Sequence, residues 1–232
     1  MQINGCCALV TGANRGIGLG FVAALLERGA RKVYATARRT ESLTPVTVLD
    51  RERIVPMALD VVDAEAIAAA CAAASDVNLL VNNAGIVERG GFLDRPDLDG
   101  PRHEMEVNFW AQLAMIRAFA PQLADGGIIQ VLSIGAVATV PYVGSYCASK
   151  FAARAMTQCV RAELAAQRTQ VMAIYPGAIA TDMSAQTPGP KISPHTHAHH
   201  CLAAFEAGVD EFFPDFKAQA MRDQLLRNQQ PL

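Results

Sequence analysis

Tyr146 and Lys150 stand four residues apart in the run Tyr146-Cys147-Ala148-Ser149-Lys150, a spacing that puts a phenol and an amine on one face of a helix. A phenol at its ordinary pKa of about 10 is a poor base near neutrality. A neighbouring ammonium favours the phenolate and lowers that value, so the pair predicts a proton-transfer group. Ser133 lies upstream at the end of an apolar run, and groups at the carboxyl end of a strand in an open sheet face ligands. Taken alone, the spacing also fits an ordinary helical pair, and it leaves both readings open.

A different chemistry is offered by Thr11-Gly12-Ala13-Asn14-Arg15-Gly16-Ile17-Gly18, between an apolar run and a helical pattern. Glycines let the backbone turn sharply and approach a pyrophosphate, while the following helix presents free N–H donors and a positive dipole end. The spacing is not G-x-G-x-x-G, and a tight turn without a ligand is the alternative. Roughly 20 residues on, a chain that grips the ribose 2′-OH of NAD carries an acid. Here the second strand ends in Thr36-Ala37-Arg38-Arg39. Arg38, with Arg15 inside the turn, suits the 2′-phosphate of NADP, so the sequence predicts NADP(H) over NAD(H).

The elements that must position these groups alternate along the chain. Short apolar runs, read as strands, cover Cys7–Val10, Lys32–Thr36, Arg53–Leu59, Val77–Val81, Ile128–Leu132 and Gln170–Tyr175, with a short closing strand at Glu211–Phe213. Helical patterns cover Ile17–Arg28, Ala64–Ala74, Arg102–Leu123, Ser145–Ala166, Thr196–Ala207 and Asp215–Arg227. Near-continuous apolar strands are those of a parallel sheet covered on both faces. The expectation is one α/β, doubly wound Rossmann-type domain over 1–232, with a mostly parallel seven-stranded sheet and helices on both faces. A variable substrate loop is expected near 182–194, followed by a C-terminal helix–strand–helix extension. The stretch Thr40–Arg51 looks shortened, losing most of a helix.

With 232 residues, 51% of them apolar, the chain can bury a large core. A formal charge of -2 with scattered arginines argues against nucleic acid as a partner. No window reaches the roughly 18 apolar residues of a membrane span, and the amino terminus lacks a signal-peptide pattern. Six cysteines without metal-ligand spacing fit a reduced, cytoplasmic chain.

The motifs together resemble the short-chain dehydrogenase/reductase family from Thr11 to about Thr181. The matching pieces are T-G-A-N-R-G-I-G at 11–18, Asp60-Val61, N-N-A-G at 82–85, Asn108, Ser133, Tyr146 with Lys150, and P-G-A-I-A-T at 176–181. The resemblance implies that Tyr146 exchanges a proton with a substrate oxygen, Ser133 hydrogen-bonds that oxygen, and Lys150 binds the nicotinamide ribose. Asn108 would hold a water relaying protons through Lys150. It further implies that Gly12, Asn14, Arg15, Gly16, Ile17 and Gly18 cradle the phosphates. Arg38 would mark NADP(H) preference, and Asp60 and Val61 would edge the adenine. Asn83, Ala84 and Gly85 would flank the middle of the cofactor, and Ile179 and Thr181 its carboxamide side.

The activity implied is an NADP(H)-dependent interconversion of a ketone or aldehyde with an alcohol. A 3-oxoacyl thioester reductase and a non-catalytic NADP(H)-binding regulator are the alternatives. The resemblance implies a homo-oligomer, dimer or tetramer, assembled through the helices near 102–123 and 145–166. No metal is assigned: His195-Thr196-His197-Ala198-His199-His200 has helical pair spacing but no acidic or cysteine partner nearby, and is read as surface. Trp110 is assigned to core or subunit packing rather than substrate stacking, and Cys147 to filling.

Overall fold

The computed structural model describes residues 1–228. Seven strands form one sheet in the order β3-β2-β1-β4-β5-β6-β7: β1 Cys7–Val10, β2 Lys32–Ala37, β3 Ile54–Ala58, β4 Leu79–Asn82, β5 Gly127–Val131, β6 Gln170–Ile174 and β7 Glu211–Phe212. Every pairing among them is parallel, so the expected mostly parallel sheet is parallel throughout. Pro56, which cannot donate to a ladder, falls in β3 at the sheet edge, where it is tolerated.

Alternation along the strands divides the core in two. Ala8 and Val10 of β1 join Phe21, Val22 and Leu25 of α1 (Gly16–Glu27) on one face, while Leu9 points to the other. The connection from β2 to β3 is a 3-10 turn and a single helical turn, α2 (Thr44–Thr47), in agreement with its shortened sequence. The second face is covered by α3 (Ala64–Ala73), α5 (Ala111–Phe119) and α6 (Gly144–Glu163), through Ile67, Met115, Phe119 and Met156. Asp63 starts α3 as a side-chain cap, accepting from Glu65 N at 2.9 Å and Ala66 N at 3.1 Å.

The helix expected over Arg102–Leu123 is present but not uniform. α4 (Asp99–Met105) passes into a π-helical turn at Glu106–Trp110, and only then into α5. Such a turn widens the helix by a residue and recurs at functional sites. Trp110 does not enter the core: it is 53% exposed, edge-on to Phe109.

After the loop that follows β6, α7 (Pro194–Glu206) packs on α1, beginning at Ser193, whose hydroxyl accepts from Thr196 N at 3.0 Å. β7 and α8 (Phe216–Asn228) follow, so the C-terminal helix–strand–helix contributes to the same sheet. Two sequence readings of the histidine run are corrected here. His197 is buried, edge-on to Phe21, not surface. The run also has an acidic neighbour, because α1 carries Glu27 to His195 and His199.

At the amino-terminal edge of the sheet, Asp76 accepts from Lys32 Nζ at 2.7 Å and from the Tyr34 hydroxyl at 2.7 Å, with Cys7 Sγ at 3.5 Å. Burial raises the carboxyl, but these hydrogen bonds outweigh it and hold the pKa at about 2. A depressed folded-state value stabilises above the unfolded pKa of about 3.9 and loses that contribution as pH falls toward 2. With both side chains about one-third exposed, solvent screening leaves roughly 1–2 kcal/mol. Asp76→Asn is therefore expected to lower the urea midpoint at pH 7, and the deficit relative to wild type is expected to shrink by about pH 3. An equal deficit at both pH values would remove the electrostatic assignment.

Candidate active site

All the sequence-predicted site residues gather at or beyond the carboxyl ends of β1 to β6 or on the adjoining helices. The chain order reverses between β1 and β4, and the crevice at such a reversal is where open α/β sheets bind ligands. The turn Thr11–Gly18 opens α1. Gly16 has φ +55°, and a Cβ on Gly18 would lie 2.2 Å from the Gly12 carbonyl oxygen, so both positions need glycine. Arg15 caps α1 without a side-chain hydrogen bond, and its first turn carries no acid. That leaves the amide end open to an anion, which fits a pyrophosphate.

The neighbouring strand is tied to this turn. The Thr11 hydroxyl accepts from Asn83 N and Ala84 N, each at 2.9 Å, and Asn83 Nδ2 donates to Thr11 O at 2.8 Å. Thr181 reaches the same turn: its Cγ2 would be 3.2 Å from a Cβ on Gly16. Arg38 is exposed at the end of β2, and Asp60 and Val61 are half-buried beyond β3. Arg15 is not a free cation, since it pairs with Asp182 at 2.7 Å. With both side chains largely exposed, that pair is weak enough for a phosphate to compete.

Two glycines act as rulers for the reactive groups. A Cβ on Gly135 would stand 3.3 Å from both Ser133 Oγ and Tyr146 Cε1. One on Gly85 would stand 3.0 Å from Asn108 Oδ1 and 3.5 Å from Lys150 Nζ. Lys150 is buried, donates to Val131 O at 3.1 Å, and holds its Nζ 5.9 Å from the Tyr146 ring centroid. Ser133, Tyr146, Lys150 and Asn108, 42 residues apart at the extremes, thus occupy one corner.

The electrostatics differ from the sequence expectation. Burial pushes the Tyr146 phenol up to about 12, and the Ser133 hydroxyl pulls only partly against it. The same burial brings Lys150 down to about 8. The lowering expected from the ammonium does not contribute: Lys150 Nζ stands 5.9 Å from the ring centroid, and burial dominates the phenol. The phenol is therefore a proton donor at neutral pH.

Asn108 is buried in the π-helical turn. Its Oδ1 accepts from Ile86 N at 2.9 Å, and its Nδ2 donates to Ile86 O at 2.9 Å and to Ser149 Oγ at 3.0 Å. Both amide hydrogens are engaged, which leaves one Oδ1 lone pair for any relaying water. Ser149 Oγ in turn bonds Tyr146 O at 2.7 Å, so Asn108 ties the segment after Gly85 to the first turns of α6.

Three contributors escaped the sequence reading. Glu104 is fully buried and accepts from Glu88 N at 2.6 Å. Gln112 donates to Ala84 O at 3.1 Å, beneath the Asn83–Gly85 segment. Asp215 accepts from Gly177 N at 2.7 Å and Ala178 N at 3.2 Å, fixing the turn that leads to Ile179 and Thr181. Its position just before α8 is the one local signal, since Asp there also caps the helix through Ala218 N. Cys147 is buried with its thiol pushed up by burial, as a filling residue would be.

Exposed apolar side chains stand near the start of α6 and on the loop after Thr181. The Phe92 ring lies against Gly144 at the start of α6, and Gly90 N donates to Tyr142 O at 2.9 Å. Arg89 donates to Met183 O at 3.1 Å, tying the loop after Thr181 to the segment after β4, and within that loop Lys191 donates to Ser184 O at 2.7 Å. Phe92, Tyr142 and Met183 are each about half exposed.

Residues 6–190 match the family model for short chain dehydrogenases. A short chain dehydrogenase of Monascus purpureus is 34% identical over 200 residues, covering 80% of this chain and 68% of that protein. A galactitol 2-dehydrogenase (L-tagatose-forming) of Cereibacter sphaeroides is 35% identical over 192 residues, covering 79% and 75%. A crystal structure of a short chain dehydrogenase from Burkholderia cenocepacia in complex with NADP superposes with a TM-score of 0.90 at 44% identity, over 100% of both chains. The chain belongs to the short-chain dehydrogenase/reductase family and is an oxidoreductase.

Among the described residues no helix is long and apolar enough to cross a membrane.

Proposed function

We propose that this protein is an NADP(H)-dependent oxidoreductase interconverting a ketone or aldehyde with an alcohol, with Tyr146 as the acid–base. The observation that carries the reading is the convergence of Ser133, Tyr146, Lys150 and Asn108 beside the glycine turn. When bound, the nicotinamide supplies or accepts the hydride. Tyr146, protonated at neutral pH, donates to the carbonyl oxygen as charge develops there, and Ser133 donates a second hydrogen bond to the same oxygen. Lys150 binds the ribose, while Asn108 and Ser149 position the start of α6. Gly12, Asn14, Gly16, Ile17 and Gly18 receive the phosphates. Asp60 and Val61 edge the adenine, Asn83, Ala84 and Gly85 the middle, and Ile179 and Thr181 the carboxamide.

The exposed apolar side chains of Phe92, Tyr142 and Met183 favour a carbonyl with apolar flanks. Support for carbonyl/alcohol chemistry comes from the polyol dehydrogenase among the relatives, and support for NADP from the 44%-identical Burkholderia protein.

The test is NADPH absorbance against a panel of ketones, aldehydes and carrier-linked 3-oxoacyl groups. Turnover of free ketones or aldehydes is expected. Activity confined to carrier-linked groups, or tight NADPH binding with no turnover at all, would overturn the reading.

Arg38 and Arg15 are assigned to the 2′-phosphate. Arg38→Ala is expected to raise the NADPH dissociation constant by about 10-fold or more, since charge-assisted hydrogen bonds are worth ~1.5–3 kcal/mol. NADH binding should stay within about twofold. Fluorescence titrations with both cofactors check this, and equal losses would remove Arg38 from the phosphate site.

A further inference from the structure

The geometry points to a divalent-metal site formed by His195, His199 and Glu27, one that takes zinc and braces α7 against α1. Three donors, two imidazoles and a carboxylate, meet there from two helices. His195 Nε2 lies 3.0 Å from each oxygen of the Glu27 carboxylate, and His199 Nε2 lies 2.7 Å from Oε2. All three ligand atoms lie within 4.8 Å of one another. Two imidazoles at i and i+4 on one helix face, completed by a carboxylate from elsewhere, form the His₂Glu set that zinc accepts, with water in the remaining position.

The distances are close to what a metal needs. Zinc–ligand bonds of about 2.0–2.2 Å place tetrahedral ligand atoms about 3.3 Å apart. The two histidine–carboxylate contacts would open by about 0.3–0.6 Å to reach that separation, and the two imidazole nitrogens already lie within 4.8 Å of each other. Solvent can reach the site, since the His195 and Glu27 side chains are 51% and 53% exposed.

The backbone beneath is rigid. Glu27 is the last residue of α1, His195 and His199 stand in the first turns of α7, and Ser193 caps that helix. One residue beyond Glu27, Arg28 pairs with Glu206 at 2.6 Å and donates to His199 O at 3.1 Å. His197, between the two ligands, is locked in the core against Phe21. His195 and His199 are therefore presented outward by a helix that cannot rotate. The fold supplies the acidic partner that the histidine run lacks locally, from 168 residues away.

A metal here would act at a distance from the reaction. α1 begins at the glycine turn, and α7 follows the loop that leaves Thr181. A bound ion would fasten the far end of α1 to the helix that anchors that loop, raising stability without touching the reacting groups.

The experiment uses the untagged full chain, stripped with a chelator and titrated with zinc by calorimetry, beside His199→Ala, His195→Ala and Glu27→Gln. One zinc per chain is expected for wild type, with Tm rising on addition. Because losing even an outer-shell partner costs 10–100-fold in metal affinity, each variant should bind at least about 10-fold more weakly. Each should also lose the zinc-dependent rise in Tm while keeping NADPH binding, which shows that it has folded. Cobalt in place of zinc should give a four-coordinate spectrum without a thiolate charge-transfer band. Wild-type affinity no higher than that of the variants, no binding at all, or a thiolate band pointing to cysteine would each overturn the proposal.

Discussion

Replacing Tyr146 with phenylalanine is expected to lower kcat/KM for carbonyl reduction by about 10²–10⁴-fold, the contribution of a positioned general acid. NADPH affinity should be nearly unchanged, because the substitution removes one oxygen from a ring that stays packed at the start of α6. The size follows from the proton. Burial holds the phenol at about 12, so at neutral pH it carries its proton and can pass it to an oxygen that becomes an alkoxide as hydride arrives. Ser133 can hydrogen-bond that oxygen but has no comparable acidity, and the more acidic Lys150 ammonium is directed to Val131 O, away from the phenol's position. Steady-state kinetics with a substrate from the panel, beside a cofactor titration by fluorescence, separate chemistry from binding. A Phe variant that keeps within about threefold of wild-type turnover would end the general-acid assignment.

What could be read from the sequence follows a physical divide. The strands were legible because a doubly covered parallel sheet makes them near-continuous apolar runs, and β1 falls at Cys7–Val10 as read. The glycine turn was legible because its backbone permits few residue types. Tyr146 and Lys150 were legible as a helical pair, yet the direction of the phenol's pKa was not. Spacing reports the neighbouring charge, whereas burial depends on the whole fold. The π-helical turn has no residue-type signature of its own, so it is visible only in the structure. Asp215 and Glu27 act on partners 38 and 168 residues away. No local pattern encodes such pairings, and so the carboxylate that meets the histidine run is invisible in its sequence.

Asn108→Ala is expected to cost both stability and turnover, and the two losses have one origin. The Asn108 amide is the hydrogen-bond partner of Ile86 N and Ile86 O and of Ser149 Oγ, in a buried setting. Alanine leaves these groups without that partner, at roughly 1–3 kcal/mol for each one that water cannot reach. A net loss of about 2–4 kcal/mol lowers Tm by roughly 5–15 °C in a domain of this size. The turn at Glu106–Trp110 loses the contacts that hold its centre, and the segment after Gly85 loses its tie to α6. That segment passes within a methyl's reach of Lys150 Nζ. Misplacement there therefore reaches Lys150, the residue proposed to hold the ribose, and, through Ser149, the backbone that sets Tyr146. Turnover should fall by 10²-fold or more, since misplacements of about 1 Å cost that much. Asn108→Asp separates the contributions: it keeps an acceptor for Ile86 N but faces Ile86 O with a second acceptor. It should fold no better than the alanine variant, because a buried carboxylate beside a carbonyl is unfavourable. Thermal melts with NADPH titrations on both variants provide the check. A full-stability Asn108→Ala protein that loses only kcat would show that the amide serves a proton relay alone and does not hold the site together.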